Sequence, residues 1–366
     1  MNFDVVGLGY CCLDDLLLLT EIPPPEGRAT ILRRERQGGG MVATAMVAVA
    51  RLGGRAGFVG KVGDDAIGQE IVADFRRYGV DVSRLLVQAG ATSHLTVVLV
   101  DRASGARAFL SQRGTVPDLA PRELDRDYLT RGRILHLSDA GPAAVQAAAW
   151  AKAAGREVCF DGTHFHPSIF GLLPYLDYLI VSRFFASEFV AHQEGRDVGR
   201  AARDFAALSA TQATPPSPSA PHGHPYRAPA ALAPSASPAG APVYHPAGEV
   251  VVLAGERLLD AAVRLRQLGP PVVVVTEGEH GSWCATSDGQ FHLPAYPVRP
   301  LDTTGAGDVF HGAFLYGRAR GWDLRRSLAL ASAAASLKCR ALGGRAGIPT
   351  LEEALSLVES NERPAR

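Results

Sequence analysis

A chain of 366 residues, 47% of them hydrophobic, can bury a sizeable core as one large domain, or as one domain with a small lid. Its 37 basic and 37 acidic side chains cancel, and no basic block stands out, which argues against nucleic-acid or anionic-membrane binding and points to small-molecule partners. The first dense apolar run, Leu16-Leu17-Leu18-Leu19, follows Asp14 and Asp15 and is too short and too acidic for a signal peptide or a membrane span. Five cysteines, an odd number without metal-type spacing, predict reduced thiols in a cytoplasmic protein, with the adjacent Cys11 and Cys12 buried near a strand end.

In chain order, strand-like runs fall at 3–9, 57–63, 95–100, 106–110, 134–138, 157–161, 178–182 and 272–276. Helical runs fall at 41–52, 66–78, 142–154, 255–268, 306–320 and 324–342. This alternation predicts an α/β fold, a mostly parallel sheet with helices on both faces and ligands at the carboxyl ends of its strands. Two stretches, 10–37 and 92–113, alternate and turn without helices, as antiparallel hairpins do. From 211 to 248 the composition shifts to Pro, Ala, Ser and His, so no core repays the ordering entropy, and a disordered surface insertion is expected. Partner binding by a polyproline helix is its functional alternative. The insertion's His222, His224 and His245 read as solvated coil rather than a metal site.

The most informative run is Asp302-Thr303-Thr304-Gly305-Ala306-Gly307-Asp308-Val309-Phe310-His311-Gly312-Ala313. Small residues at 305–307 admit a close ligand, and the apolar spacing after them starts a helix whose free N–H groups and dipole suit a phosphate in flight. Asp308 adds a carboxylate able to take a proton from a hydroxyl. An ordinary helix start with an acidic first turn is the plain alternative. Upstream, Thr276-Glu277-Gly278-Glu279-His280-Gly281 ends a strand in a tight turn that suits nucleotide phosphates, although a structural hairpin returning over 282–286 explains it equally well. Gly7-Leu8-Gly9 after the first strand lacks the third glycine and the helix of a dinucleotide fingerprint.

Residues 302–313 resemble the second hallmark of the PfkB (ribokinase-like) carbohydrate kinase family. The first hallmark is matched by Gly38-Gly39-Gly40-Met41-Val42-Ala43-Thr44-Ala45 and by Val59-Gly60-Lys61-Val62-Gly63-Asp64-Asp65-Ala66-Ile67-Gly68. Leu337-Lys338-Cys339 and Gly343-Gly344-Arg345-Ala346-Gly347-Ile348-Pro349 resemble the closing segment of a subset that includes sulfofructose kinase.

The resemblance implies a ribokinase-like fold with the 10–37 and 92–113 stretches as a β lid, a lid used for homodimer contact in the family. It implies Asp308 as general base and the amides of Gly305, Ala306 and Gly307 as anion hole. Asp14 would grip sugar hydroxyls, with Asp15 as rival, beside Gly39 and Gly40. Thr276, Gly278 and Gly281 would contact nucleotide phosphates. ATP and Mg2+ are the implied cofactors, and potassium-type activation through carbonyls near Asp302 and Thr304 stays open. Arg107 and Arg113, six apart on the lid strand, share one face and could close over the acceptor or simply be solubilising. His164 and His166 are sugar contacts or hydrogen-bonded loop histidines.

Two departures matter. No Asn follows the glycine cluster, and the family's Asn-x-x-Glu is replaced by Ser182-Arg183-Phe184-Phe185-Ala186-Ser187-Glu188, where Arg183 is a candidate phosphate contact and Glu188 a candidate near the metal. Arg113 alone offers a cation for a sulfonate, and Asp139 opposes one, so the subset's architecture is expected without its substrate. The expected activity is ATP-dependent phosphoryl transfer to a sugar-like hydroxyl. The alternatives are a nucleoside kinase of the same fold or a catalytically weak sugar-binding regulator.

Overall fold

The computed structural model describes residues 2–195 and 252–362, so the insertion expected at 211–248 lies outside the described residues. The strands are β1 (Phe3–Leu8), β2 (Cys12–Leu19), β3 (Ile31–Gly39), β4 (Ala56–Val59), β5 (Lys61–Gly63), β6 (Leu86–Gln88), β7 (Leu95–Asp101), β8 (Arg107–Gln112), β9 (Gly132–Leu137), β10 (Glu157–Gly162), β11 (Tyr178–Ser182), β12 (Val272–Thr276), β13 (Ser282–Ala285) and β14 (Gln290–Leu293). The helices are α1 (Met41–Arg51), α2 (Ala66–Arg77), α3 (Arg126–Leu129), α4 (Pro142–Ala153), α5 (Arg183–Gln193), α6 (Glu256–Arg266), α7 (Ala306–Ala319), α8 (Leu324–Lys338) and α9 (Leu351–Glu362).

Eight strands make the main sheet, in the order β14-β13-β12-β11-β10-β9-β1-β4. It is parallel from β12 to β4, with β13 and β14 antiparallel at one edge. Its inner strands bury both faces: Val5, Ile134, Ile180 and Val274 on one, Val6, Leu135, Leu179 and Val273 on the other. The first face is covered by α1, α2, α7, α8 and α9, the second by α3 to α6. Two-sided burial explains why these strands read as continuous apolar runs.

A second sheet, in the order β3-β2-β7-β8, comes from the 10–37 and 92–113 stretches. Two hairpins are antiparallel as expected, but β2 and β7 join them in parallel. Register places Asp14 opposite Thr96 and Thr96 opposite Ser111, with Val98 opposite Phe109 and Val100 opposite Arg107. Asp14, Thr96, Ser111, Phe109 and Arg107 therefore share one face.

Two boundaries differ from expectation. The 57–63 run breaks at Gly60, packed so that an added Cβ would meet Phe58 and the Gly9 carbonyl, and β5 then leaves the main sheet to pair with β6. The last long helix stops at Lys338 instead of 342, because the Cys339 carbonyl accepts from the Leu301 and Asp302 amides. Five elements without a strong period, β6, β14, α3, α5 and α9, had no counterpart in the expected pattern. All five cysteine thiols are buried and unpaired. Among the described residues, no helix is long and apolar enough to cross a membrane.

Candidate active site

The loop before α7 is built around Asp302, which is 1% exposed. Its Oδ1 accepts from the Thr304 amide at 2.8 Å and hydroxyl at 2.7 Å, and its Oδ2 accepts from the Gly343 amide at 2.7 Å. The chain then turns at Gly305, in the left-handed region at φ 74°, where an added Cβ would lie 2.7 Å from Gly344 Cα. The Ala306 N–H donates to the Thr303 carbonyl at 3.2 Å and is partly spent on the turn. Gly307 and Asp308, in the first helical turn, have amides without an acceptor inside the helix. Gly307 is exposed and Asp308 half-buried.

Burial pushes the Asp308 carboxyl up to about 7, helped by the negative charge of Asp14, while Lys338 and Arg345 pull it down. Asp14 is pushed up to about 6, again chiefly by burial, and its Oδ1 accepts from the Cys12 thiol at 3.3 Å. Its Oδ2 lies 2.3 Å from where a Cβ on Gly39 would stand, so only glycine lets the loop reach this carboxylate. Gly40, at φ 97°, starts α1 beside the Tyr10 carbonyl. The structure thus brings Asp308, the Gly305–Gly307 turn, Asp14, Gly39 and Gly40 into one neighbourhood. Asp15 is not a rival: it turns to the other face of β2, where Arg34 grips it at 2.6 and 2.8 Å and holds its carboxyl below the usual range.

Arg345 had no assigned role in the sequence. It is 1% exposed and ties the closing segment to the glycine loop. Its Nη1 donates to Asp74 at 2.6 Å and its Nη2 to the Gly39 carbonyl at 3.3 Å, while its guanidinium stacks over Phe75. Gln37 accepts from the Arg345 amide at 2.9 Å and donates to the Leu342 carbonyl at 3.0 Å. The Gly-Gly-Arg signature was the available signal, but its partners are about 300 residues away in the chain. Asp65 of the first hallmark likewise caps α2 and accepts from both the amide and the hydroxyl of Ser93.

Thr276 ends β12 directly opposite Ser182, the last residue of β11. Gly278, at φ 61°, has open space where a Cβ would project. Gly281, at φ 94°, is pressed against β14, 2.1 Å from the Leu293 carbonyl on the same construction, and serves the hairpin. Arg183 opens α5, capped by Ser182, and stacks over Phe184. Arg107 is exposed on β8, and its charge reaches Lys338.

Phe185, three residues after Ser182, is 1% exposed in the core and offers no metal donor. Glu188 is committed elsewhere, accepting from the Phe165 amide at 2.7 Å and pairing with His164 at 2.8 Å, so it holds the loop after β10 instead of a metal. His164 and His166 are thereby hydrogen-bonded loop residues, the latter 2.8 Å from the Ser168 hydroxyl. Asp139 caps the turn before α4 through the Gly141 amide at 3.0 Å.

One helical turn below Asp308, His311 Nε2 lies 3.3 Å from Asp161 Oδ1 at the end of β10. Burial, with the charge of Asp308, raises the Asp161 carboxyl well above the usual range, and burial lowers His311 and His136. Burial thus favours the uncharged form of each of the three side chains. His136, Cys159 and His311 bring ligand atoms within 4.8 Å of one another, a looser set than the roughly 3.5 Å edges of a zinc tetrahedron.

A largely parallel, doubly covered sheet with a glycine turn and acidic helix mouth, topped by a small second sheet, defines the ribokinase-like class. The family model for pfkB family carbohydrate kinases matches residues 2–214 and 248–351, and the chain belongs to that family. It is 28% identical to the 5-dehydro-2-deoxygluconokinase of Shouchella clausii over 98% of this chain and 96% of that one. It is also 28% identical to the aminoimidazole riboside kinase of Salmonella typhimurium over 88% of each. Arabidopsis thaliana ribokinase, solved with ribose and ATP, shares the fold with a TM-score of 0.71 at 21% identity, covering 98% of this chain and 99% of that one. The protein is a carbohydrate kinase. Its likeness to the sulfofructose kinase subset stays one of motifs.

Proposed function

We propose that this kinase moves the γ-phosphoryl group of ATP to a hydroxyl of a sugar or sugar derivative, with Asp308 as general base. The observation that carries the reading is Asp308 at the mouth of α7 with the charge of Asp14 nearby: burial, helped by that charge, pushes the Asp308 carboxyl up to about 7, where it is about half ionised at neutral pH and well matched to take a proton from a hydroxyl. Asp14, Gly39 and Gly40 hold the acceptor hydroxyls, a carboxylate being able to accept two of them. The acceptor O–H gives its proton to Asp308, and its oxygen attacks the terminal phosphorus. Negative charge developing on the phosphoryl oxygens meets the amides of Gly305, Gly307 and Asp308, with Ala306 contributing less because its N–H is shared.

Thr276 and Gly278 approach the nucleotide phosphates, Arg183 stands at the neighbouring strand end, and Gly281 shapes the turn. The β3-β2-β7-β8 sheet acts as the lid that excludes water, with Arg107 on the same face as Asp14. Its exposed Ile31, Leu32 and Leu110 suit a homodimer contact. The strand-end residues do not supply the family's carboxylate for Mg2+, since Phe185 is core and Glu188 is committed to the 164–165 loop.

A nucleoside acceptor is the second reading, favoured by the exposed Tyr10, whose ring packs against His94 with centroids 4.6 Å apart beside the glycine loop. Coupled ADP release with purified protein, screened over ribose, fructose, deoxygluconate-type acids, aminoimidazole riboside and adenosine, separates the two. Turnover on the sugars and acids supports the proposal, turnover confined to nucleosides supports the second reading, and ADP release with none of them overturns both.

A further inference from the structure

The family resemblance raises activation by a monovalent cation seated on carbonyls near Asp302 and Thr304. In this chain the Asp302 carbonyl is taken from within. Lys338, the last residue of α8, is 0% exposed, and its Nζ donates to the Asp302 carbonyl at 2.8 Å. The amino group lies at the negative end of its own helix, where a cation is favoured; burial lowers its pKa, and the neighbouring Asp302 charge works against that shift. Its surroundings are tight. The Cys339 carbonyl accepts from the Leu301 amide at 2.8 Å and from the Asp302 amide at 3.1 Å, the Gly343 amide is fixed by Asp302, and a Cβ on Gly347 would lie 2.5 Å from the Lys338 carbonyl. A second cation on the same carbonyl would meet the ammonium at close range in a poorly solvated site.

We propose that the Lys338 ammonium is a built-in substitute for the monovalent cation, so that this kinase turns over without potassium. The inference rests on the kinase reading given above. Protonated, Lys338 supplies a positive charge and a donor to the Asp302 carbonyl, the oxygen a monovalent cation at this place would need. Because it is covalently held, its occupancy does not depend on salt. It sits where the Asp302–Gly305 loop enters the anion hole, and its charge reaches Asp308. Lys338 is thus a positioning residue for that loop.

The experiment compares the full chain with Lys338→Met, which keeps the side-chain length and removes the charge. ADP release is measured in tetramethylammonium buffer, then with added KCl, NH4Cl or NaCl, and thermal melting is followed in the same buffers. Wild type should change less than about twofold on adding potassium. Loss of a hydrogen bond from a charged group should cost Lys338→Met about ten- to a hundredfold in turnover, and potassium or ammonium, but not sodium, should restore much of it. Potassium should likewise raise the melting temperature of the variant and not of wild type.

Activation of wild type by potassium by more than about threefold would overturn the proposal, and this arm stands even where the variant does not fold. A folded, impaired Lys338→Met that no cation restores would also overturn it. If neither protein releases ADP with any acceptor, the kinase reading has failed, and the melting comparison alone decides the cation question.

Discussion

The charge of Asp14 raises the Asp308 carboxyl, and each carboxylate carries a pH signature. As a base, Asp308 must be ionised, so kcat/KM should rise with pH through about 7 and level off above it. In Asp14→Asn the repulsion is gone, and the midpoint of that rise should move to lower pH while the KM for the acceptor increases. An unmoved midpoint would separate the two carboxylates. The same shift has a stability consequence. Asp308 titrates near 3.8 in the unfolded chain and near 7 when folded, so the folded state binds the proton more tightly. The stability it contributes is fully present below pH 3.8 and is lost as pH rises through 7. Asp308→Asn should therefore be more stable than wild type at pH 8, on the order of a few kcal/mol, with the difference closing near pH 4. Urea denaturation of both proteins at the two pH values reads this directly.

Among the elements, the glycine loop before α1 and the closing segment after α8 are held by one buried side chain. Arg345 pairs with Asp74 of α2, and both are nearly inaccessible. Removing one partner leaves an uncompensated buried charge, so Arg345→Met should cost about 3–5 kcal/mol in denaturant unfolding. The double variant Arg345→Met with Asp74→Leu should recover much of that loss, and equal damage in single and double variants would show that the pair is not the cause. Elements with a long apolar period, such as α1, α7 and β12, were legible because their own residues decide both type and face. The breaks were not legible. Gly60 ends a strand because of Phe58 packing, and α8 stops because amides from 301 and 302 take the Cys339 carbonyl, and neither contact has a local signature.

Across the whole molecule, the fold and the Asp308 turn could be read from the chain, whereas the way distant segments complete the site could not. The choice of Asp14 over Asp15 needed the register of β2 and the Arg34 ion pair. The roles of Lys338 and Arg345 needed contacts spanning 36 and 306 residues. Glu188 looked available by spacing, yet its hydrogen bonds to the 164–165 loop remove it. Such assignments depend on what faces a side chain, which only tertiary packing reveals.

We infer that one half-buried carboxylate at the start of α7 takes the proton from the acceptor hydroxyl as phosphoryl transfer proceeds. The most direct test is single-turnover phosphoryl transfer by Asp308→Asn at pH 8 with saturating ATP and the best acceptor, alongside direct nucleotide binding. The rate should fall by about a hundredfold to ten-thousandfold with nucleotide affinity nearly unchanged. A rate within a few-fold of wild type would contradict it.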